Sequence, residues 1–304
     1  MAAPASSPFW ESNSVGSGHR GAHEMHTMRW LGDENCHHEA IVGGKAASLS
    51  RLAALHAVPP GFAVPAIFSH HQELPEPLVP AISGAYLRLA ERLGVADPRV
   101  AVRSSAIDED GTDSSFAGQH DTYLNISGVD SVLDAVIRCA RSAASPQALA
   151  YRTRRGLPLD DVRIAVLVQS LVQSDVSAVV FSANPVTGSR DEVMINASWG
   201  LGESIVGGSV TPDTFVINKD KLDVTWRDIS RKERMTVMTA TGTAEVDVPP
   251  ELQLTSSLDD GQVQEMVSLA LRLERLLGYA VDIECAIAGG ELHLLQCRPI
   301  TTLR

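Results

Sequence analysis

Near its C-terminus the chain reads Val281-Asp282-Ile283-Glu284-Cys285, then a glycine pair at 289–290, then Glu291-Leu292-His293-Leu294-Leu295-Gln296-Cys297-Arg298-Pro299. Two segments rich in apolar residues around a Gly-Gly pair predict a β-hairpin. Glu284 lies on its first strand, and Gln296 and Arg298 lie two positions apart on its second. Because side chains alternate along a strand, Gln296 and Arg298 are expected on the same face.

The polar side chains of this hairpin suit a phosphate ligand and a metal ion. A carboxylate and an amide oxygen are hard ligands for Mg²⁺, and a guanidinium beside them can hold a phosphate. We therefore interpret Glu284 and Gln296 as candidate Mg²⁺ ligands and Arg298 as a candidate phosphate contact. Such a cluster supplies what a nucleoside triphosphate needs at its reacting end.

The composition limits the class of partner. The chain has 304 residues, of which 44% are apolar and 20% charged, and this is enough for one large domain or two lobes around a cleft. The net charge is −12, which argues against nucleic-acid and anionic-membrane partners because phosphate backbones are held by an excess of Lys and Arg. A small phosphate ligand needs only a few converging basic groups.

The cysteines and the hydropathy indicate a cytoplasmic protein. None of the four cysteines forms a C-x-x-C pair; they are Cys36, Cys139, Cys285 and Cys297. Cys285 and Cys297 lie close together in the predicted hairpin, so a disulfide is conceivable, although large apolar chains of this kind are usually reduced. The sequence contains neither a run of eighteen apolar residues nor a secretory signal.

The order of helical and strand patterns predicts an α+β fold with two lobes. Residues 1–27 are rich in Ser, Gly, Ala, Pro and His and are predicted to be disordered. Residues 28–170 mix helices and strands, residues 171–304 are rich in strands, and a cleft between these lobes is expected. Helices are predicted at 45–55, 80–94, 129–144, 146–155 and 262–277. Strands are predicted at 99–103, 162–171, 177–181, 192–197, 214–218 and 222–226.

Gly43, Gly44 and Lys45 form the first candidate phosphate motif. Two glycines let a backbone pass close to a ligand, and the lysine would open a helix beside it. The spacing differs from a Walker A loop, because Ala46 follows the lysine where Ser or Thr would contact Mg²⁺. A simple glycine turn with an exposed lysine explains the same residues, and both interpretations stay open.

Arg103 is the second candidate phosphate contact. It ends a predicted strand and is followed by two hydroxyl donors, Ser104 and Ser105. An arginine there would project over the edge of the sheet towards a ligand. Pairing with the nearby Asp108 or Glu109 is an equally good explanation.

Three further segments offer ligand contacts, each with a plain structural alternative. Small residues at 113–119, including Ser115 and Gly118, can expose backbone N–H groups to an anion, or form an ordinary flexible loop. The apolar strand ending at residues 169–172 can present its backbone to an adenine, or be a core strand. Glu203, in a glycine-rich loop, can touch a ribose or a cation, or that loop can be purely structural.

These segments occur in an order that resembles a known family. Between residues 42 and 302 the chain carries, in sequence, Gly-Gly-Lys, Arg-Ser-Ser, Ser-Phe-Ala-Gly-Gln, Phe-Ser-Ala-Asn-Pro, Gly-Leu-Gly-Glu, Asp-Ile-Glu and Gln-Cys-Arg-Pro-Ile-Thr. This series resembles the N-terminal ATP-binding domain of the phosphoenolpyruvate synthase, pyruvate phosphate dikinase and rifampicin phosphotransferase family. The resemblance implies an ATP-grasp-like fold with ATP and Mg²⁺ between two lobes.

The resemblance also implies a role for each matching residue. Four basic side chains would contact the phosphates of ATP: Lys45, Arg103, Arg138 and Arg298. Glu284 and Gln296 would hold the metal ion. The segment that resembles the adenine-binding linker contains Gln169, Ser170, Leu171 and Val172. The remaining candidate nucleotide contacts are Gly43, Gly44, Ser115, Gly118 and Glu203. Cys285 and Ala140 depart from the residues common in the family, and we expect them to alter packing without removing a charge.

The implied activity transfers the β-phosphate of Mg-ATP, as a pyrophosphoryl group, to a histidine and releases AMP. None of the ten histidines lies in the Gly-rich Ser-His context of the family's phosphohistidine, so a swivelling domain or subunit would supply it. A small-molecule acceptor would take the phosphate afterwards. Two alternatives remain: an ATP-binding fragment of a full-length synthase or antibiotic phosphotransferase, and a nucleotide-binding regulator that transfers no phosphate.

Overall fold

The computed structural model describes residues 27–68, 73–107, 122–154, 156, 158–159, 162–301 and 303. Helices and strands occur throughout these ranges, which confirms the α+β prediction. The predicted disordered segment lies outside the described residues except for Thr27. Among the described helices, none has the length and apolar character needed to cross a membrane.

Six α-helices are described, and two of them have clear capping residues. They are α1 (Glu39–Leu52), α2 (Leu78–Leu93), α3 (Val129–Ser142), α4 (Pro146–Arg154), α5 (Glu203–Val206) and α6 (Asp260–Leu277). Asp259 accepts from the N–H of Gln262 while the Gln262 side chain accepts from the N–H of Asp259, so α6 begins with a capping box. Gly94 and Gly278 end α2 and α6 in the left-handed conformation.

The first sheet is antiparallel and contains five strands. They are β1 (Arg29–Trp30), β2 (Gly61–Phe68), β3 (Val100–Ala106), β4 (Thr122–Ile126) and β5 (Arg163–Ser170), in the order β1-β2-β5-β3-β4. Apolar side chains of β3 and β5, such as Val102 and Val166, pack against α2 and α3. The other face, which includes Ala63 and Leu167, packs against α1.

The second sheet contains six antiparallel strands, and a separate hairpin lies beside it. The six are β6 (Val176–Phe181), β7 (Glu192–Trp199), β8 (Asp213–Asn218), β9 (Val224–Asp228), β12 (Val281–Ala288) and β13 (Glu291–Pro299), in the order β13-β12-β6-β7-β8-β9. The separate hairpin pairs β10 (Arg234–Met238) with β11 (Thr243–Asp247). Helix α6 covers the apolar face of the six-stranded sheet.

Helix α1 packs between the two sheets. It contacts β2, β3 and β5 of the first sheet and β13 of the second. Its buried Val42, Leu49 and Leu52 share a core with Ile283 and Leu294 of the second sheet. A helix from the predicted first lobe therefore contributes to the core of the second sheet, and the division between residues 170 and 171 stays a prediction.

Most predicted elements are present, with two differences that matter for the site. Helix α1 begins at Glu39 rather than at Lys45, and Gly43 interrupts it with φ of 74° and ψ of 164°. Because this kink separates two helical segments, Lys45 lies in the first turn of the segment that follows Gly43, as the sequence predicts. The β10–β11 hairpin was not predicted from the sequence.

Candidate active site

The predicted C-terminal hairpin is present, and its register shows which side chains lie opposite each other. Glu284 pairs with Gln296, and Asp282 pairs with Arg298. Residues that pair directly or lie two apart on a strand share a face, so these four side chains lie on one face of β12 and β13. Gly289 and Gly290, with φ of 57° and 85°, form the two-residue turn.

The two strands shift register after the candidate metal ligands. Glu284 pairs with Gln296 and Cys285 pairs with Leu294, so Leu295 is an extra residue on β13. Such a bulge breaks the regular ladder and re-aims neighbouring groups. The Leu295 carbonyl is free to accept a hydrogen bond from another element.

That element is β3, which places Arg103 against the hairpin. Arg103 Nη1 donates to the Leu295 carbonyl at 2.7 Å. Arg103 Nη2 donates to Glu284 Oε2 and to Gln296 Oε1, both at 2.9 Å. One guanidinium from the first sheet thus joins both candidate metal ligands of the second, across 181 residues to Glu284.

The Gly-Gly-Lys segment contacts the Arg-Ser-Ser segment directly. Lys45 Nζ donates to the Ser104 carbonyl at 2.8 Å, and the N–H of Ala46 donates to Ser105 Oγ at 3.1 Å. A Cβ on Gly43 would lie 1.9 Å from the Ser105 carbonyl oxygen. Close packing against β3 therefore accounts for glycine at position 43. Lys45 is 9% exposed, so the exposed-lysine alternative is wrong.

A cavity of about 330 Å³ lies between the two sheets. Arg103 and Gln169 line it from the first sheet, and Ser177, Val179 and Glu284 line it from the second. Its volume falls at the lower end of the range for small-molecule sites. Among the described residues that line it, Arg103 is the only cationic side chain, and Glu203 and Glu284 are the acidic ones.

The predicted adenine segment forms one wall of this cavity. The cavity is lined by Gln169, Leu171 and Val172. Ser170 is not part of the lining, and the Ser170 N–H donates to the Pro60 carbonyl at 2.8 Å. The buried Gln169 side chain is fixed by a 3.1 Å hydrogen bond from Nε2 to the Pro59 carbonyl. The segment is thus a core strand that ends at a cavity, and its contact with an adenine stays a prediction.

Glu203 lines the opposite wall, at the start of α5. Its Oε2 accepts a hydrogen bond of 2.9 Å from Thr243 Oγ1 on β11. The unpredicted hairpin thus contacts a candidate site residue. The preceding Gly200 has φ of 77°, and a Cβ there would lie 2.4 Å from the Thr236 carbonyl oxygen on β10. Close backbone packing accounts for this glycine.

Arg298 pairs with Asp282, an acidic residue that was not among the candidates from the sequence. Arg298 Nε and Nη2 lie 2.9 and 2.8 Å from Asp282 Oδ2. Asp282 Oδ1 is buried and has no hydrogen-bond partner among the described residues. Burial raises the pKa of Asp282, and the Glu284 charge adds to this rise while Arg298 opposes it. Strand alternation could have identified Asp282, because it lies two residues from Glu284 and therefore shares its face of β12.

The remaining candidates lie elsewhere or outside the described residues. Arg138 on α3 is 2.8 Å from Asp134 and lies over the Tyr123 ring, away from the cavity lining. Gly44 lines a separate cavity of about 280 Å³ with Ser48. Ser115 and Gly118, and the acids Asp108 and Glu109 considered as partners of Arg103, lie outside the described residues.

The cysteines of the hairpin are not bonded to each other. Cys285 and Cys297 are buried and form no disulfide, so the disulfide considered above is absent. Burial raises the pKa of the Cys285 thiol, which keeps the side chain neutral beside Glu284.

Comparisons with known proteins identify the family of this chain. Residues 66–304 match the family described as the pyruvate phosphate dikinase AMP/ATP-binding domain. The probable phosphoenolpyruvate synthase of Methanocaldococcus jannaschii is 42% identical over 233 residues, which cover 76% of this chain and 20% of that protein. The phosphoenolpyruvate synthase of Pyrococcus furiosus is 41% identical over 241 residues, which cover 76% of this chain and 30% of that protein.

An antibiotic-modifying enzyme is similar as well. The rifampicin phosphotransferase of Streptomyces sviceus is 36% identical over 307 residues, which cover 87% of this chain and 34% of that protein. The chain therefore spans only 20% to 34% of the length of these three relatives. The fold is α+β and ATP-grasp-like. On the extent of the family match and the identity to these relatives, the chain belongs to the family of pyruvate phosphate dikinase AMP/ATP-binding domains.

Proposed function

We propose that the chain binds Mg-ATP in the cavity between its two sheets and acts as the nucleotide-binding part of a dikinase-type phosphotransferase. The observation that carries this proposal is the convergence of Arg103 with Glu284 and Gln296 at the wall of that cavity. A cation-binding pair beside a guanidinium is an arrangement suited to a polyphosphate.

The residues present fit a magnesium ion. Glu284 Oε2 and Gln296 Oε1 lie at the same distance of 2.9 Å from one nitrogen atom, so both oxygens point at a common place. No cluster of three or more His, Cys, Asp or Glu suited to a metal occurs among the described residues. Mg²⁺ typically takes one or two protein ligands and completes its shell with phosphate oxygens and water. Held by Glu284 and Gln296, it would neutralise charge on the phosphates.

The proposed phosphate contacts differ in where their side chains lie and in which partners hold them. Arg103 already lines the cavity. Arg298 lies on the same strand face as Gln296, and Lys45 is anchored to the residue after Arg103. Arg138 pairs with Asp134, so its proposed contact requires its side chain to leave that partner. The Ser115 and Gly118 contacts and those of Gly43 and Gly44 remain part of the proposal.

The other end of the cavity suits a nucleoside. Leu171 and Val172 on one side, and Ile205 on the other, offer apolar contacts to a base. Among the described residues, the Val172 N–H donates to no carbonyl, so it can donate to a ring nitrogen. Glu203 is placed to accept from a ribose hydroxyl.

The proposed reaction joins a histidine nitrogen to the β-phosphorus while the bond from that phosphorus to the α–β bridging oxygen breaks. AMP leaves with this oxygen, and the β- and γ-phosphates remain together on the histidine. The γ-phosphate then passes to water or inorganic phosphate, and the β-phosphate to a small-molecule acceptor. This chain supplies position and positive charge, as phosphoryl transfer requires. The histidine belongs to a swivelling domain of the same longer protein or to a separate subunit.

The proposed location is the cytoplasm, where ATP is present and thiols stay reduced. The four cysteines are buried and form no disulfide, which is compatible with this location.

Labelled ATP tests the proposal. The chain is mixed with a histidine-bearing domain of a phosphoenolpyruvate synthase and with ATP labelled at the β-phosphate, and AMP is measured in parallel. We expect label on the histidine domain and one AMP for each labelled histidine. Nucleotide binding without label or AMP would indicate the non-catalytic regulator instead. Absence of any ATP binding would refute both functions.

A further inference from the structure

The guanidinium of Arg103 occupies the place on which the candidate metal ligands converge. Its Nη2 is 2.9 Å from both Glu284 Oε2 and Gln296 Oε1. The Arg103 and Glu284 side chains are only 11% and 24% exposed, so water screens this pair weakly. A divalent cation bound by both oxygens would sit about 2 Å from each of them. The guanidinium and the cation cannot share that place.

Phosphate groups in the cavity would offer Arg103 a second set of partners. It lines the cavity and is the only cation among the described residues that do so. Phosphates entering the cavity would attract the guanidinium, because arginine binds phosphate with paired hydrogen bonds. In a cavity without phosphate, the same guanidinium has only Glu284, Gln296 and the Leu295 carbonyl as its described partners.

We propose that Arg103 balances the charge of Glu284 when no nucleotide is bound, and that divalent-metal binding therefore depends on nucleotide. Without nucleotide, its guanidinium holds Glu284 and Gln296 in register and keeps a metal ion out. When phosphates enter, the guanidinium moves onto them and releases both oxygens to the metal. This inference rests on the proposed function, since it takes the cavity to be the ATP site. It adds an order of binding, in which metal enters with or after the nucleotide.

Reciprocal coupling is the thermodynamic consequence. If nucleotide tightens metal binding by some factor, metal tightens nucleotide binding by the same factor. Removing the guanidinium should therefore strengthen metal binding in the absence of nucleotide and reduce the coupling. A residue that only stabilised the fold would not have this effect.

The probe is Mn²⁺, measured by loss of its free-ion electron paramagnetic resonance signal. The unaltered chain is expected to bind Mn²⁺ alone weakly and to bind it at least about tenfold more tightly with the β,γ-imido analogue of ATP. Arg103→Met should bind Mn²⁺ alone at least about tenfold more tightly than the unaltered chain. Adding Glu284→Gln to Arg103→Met should abolish this gain.

Arg51→Met is the matched control. Arg51 also pairs with a glutamate, Glu39, and with a carbonyl oxygen, that of His37, but it lies outside the cavity lining. It should leave Mn²⁺ binding unchanged. An equal gain in Arg51→Met, or no gain in a folded Arg103→Met, overturns the inference.

A crystal structure of the unaltered chain with Mn²⁺ and the imido analogue keeps the inference testable if Arg103→Met does not fold. Arg103 on the phosphates and away from Gln296 supports it. Arg103 still bonded to both Glu284 and Gln296 overturns it while leaving the proposed function intact. If no nucleotide binds the chain at all, the proposed function fails too.

Discussion

Gly43 is the residue at which two predicted phosphate motifs meet. It has φ of 74°, a conformation that side chains other than glycine rarely adopt. The position of a Cβ on it falls 1.9 Å from the Ser105 carbonyl oxygen. The backbone of α1 can therefore approach β3, and Lys45 can reach Ser104, only because position 43 has no side chain.

Gly43→Ala should lower the free energy of unfolding by about 3 kcal/mol or more, because it combines backbone strain with a clash against backbone. Urea unfolding followed by circular dichroism measures the change. Gly84→Ala is the control, since a Cβ in the middle of α2 would meet nothing within 4 Å. That change should stabilise by about 0.5–1 kcal/mol. Equal effects of the two substitutions would contradict the close contact at Gly43.

Asp282 should give the stability a pH dependence of a definite sign. Burial raises its pKa above 3.8, so the folded chain holds the proton more tightly than the unfolded chain does. The contribution to stability is present below that value and is lost as the pH rises through the raised pKa. Asp282→Asn stays neutral, so its stability relative to the unaltered chain should improve as the pH rises. Urea unfolding at several pH values between about 4 and 7 checks this. The opposite trend would mean that Arg298, rather than burial, dominates the pKa.

Local alternation predicted part of the site, and contacts between distant segments could not be predicted this way. A period of two placed Gln296 and Arg298 on one face and would have added Asp282. The partner of Arg103 could not be read from its neighbours, because Glu284 lies 181 residues away. Asp108 and Glu109 were the partners that sequence proximity suggested.

The tip of the β10–β11 hairpin contacts the first sheet. Asn125 Nδ2 donates to the carbonyls of Thr239, at 2.9 Å, and Gly242. Arg99 Nη1 donates to Asn125 Oδ1 at 2.6 Å and to the Thr239 carbonyl at 3.2 Å. With Thr243 bonded to Glu203, this hairpin connects the first sheet to the wall of the cavity.

Asn125→Gly should release the hairpin tip without straining the backbone, because Asn125 already has φ of 58°. Each lost hydrogen bond is worth about 1 kcal/mol. Backbone amides at 234–247 should therefore exchange with deuterium about tenfold faster or more. Asn125→Asp keeps an oxygen that faces Arg99, but it loses both amide contacts and turns a carboxylate towards the carbonyls of Thr239 and Gly242, so it should speed exchange at least as much. Unchanged exchange in both variants would show that other contacts hold the hairpin.

Element prediction succeeded where a segment buries one face and failed where it buries little. Helix α6 has clear caps and an apolar stripe with Val263, Met266 and Leu273, so its pattern was strong. Strand β11 contains no fully buried residue, and β10 contains only Thr236. Such a hairpin has almost no alternation to detect, because only one of its strand residues is buried.

At the scale of the whole molecule, two sheets are joined on one side by α1 and leave a cavity lined by both. The contact from Ser48 Oγ to the Cys297 carbonyl, at 2.9 Å, spans 249 residues. The α+β class followed from the order of the elements. The way in which the sheets face each other came from family resemblance, since no local pattern encodes contacts over this separation.

Nucleotide binding should stabilise the whole chain, and metal should add to the effect through Glu284. A ligand at a hundred times its Kd adds about 2.7 kcal/mol to the free energy of unfolding. Glu284→Ala should weaken binding of the Mg²⁺-loaded ATP analogue by about 1–3 kcal/mol, the scale of a lost charge-assisted contact. Calorimetry with and without Mg²⁺ measures this. Glu39→Ala, which removes a glutamate paired with Arg51, should leave binding unchanged. A similar loss in both variants would show a general effect of charge.

The central claim is that the triphosphate lies between the two sheets against β12 and β13. The most direct measurement is a crystal structure of the chain with Mg²⁺ and a non-hydrolysable ATP analogue. We expect the base beside Leu171 and Val172, the metal on Glu284 and Gln296, and the phosphates within hydrogen-bonding distance of Arg103. A nucleotide in the separate cavity beside Gly44, or a metal away from Glu284 and Gln296, would contradict it.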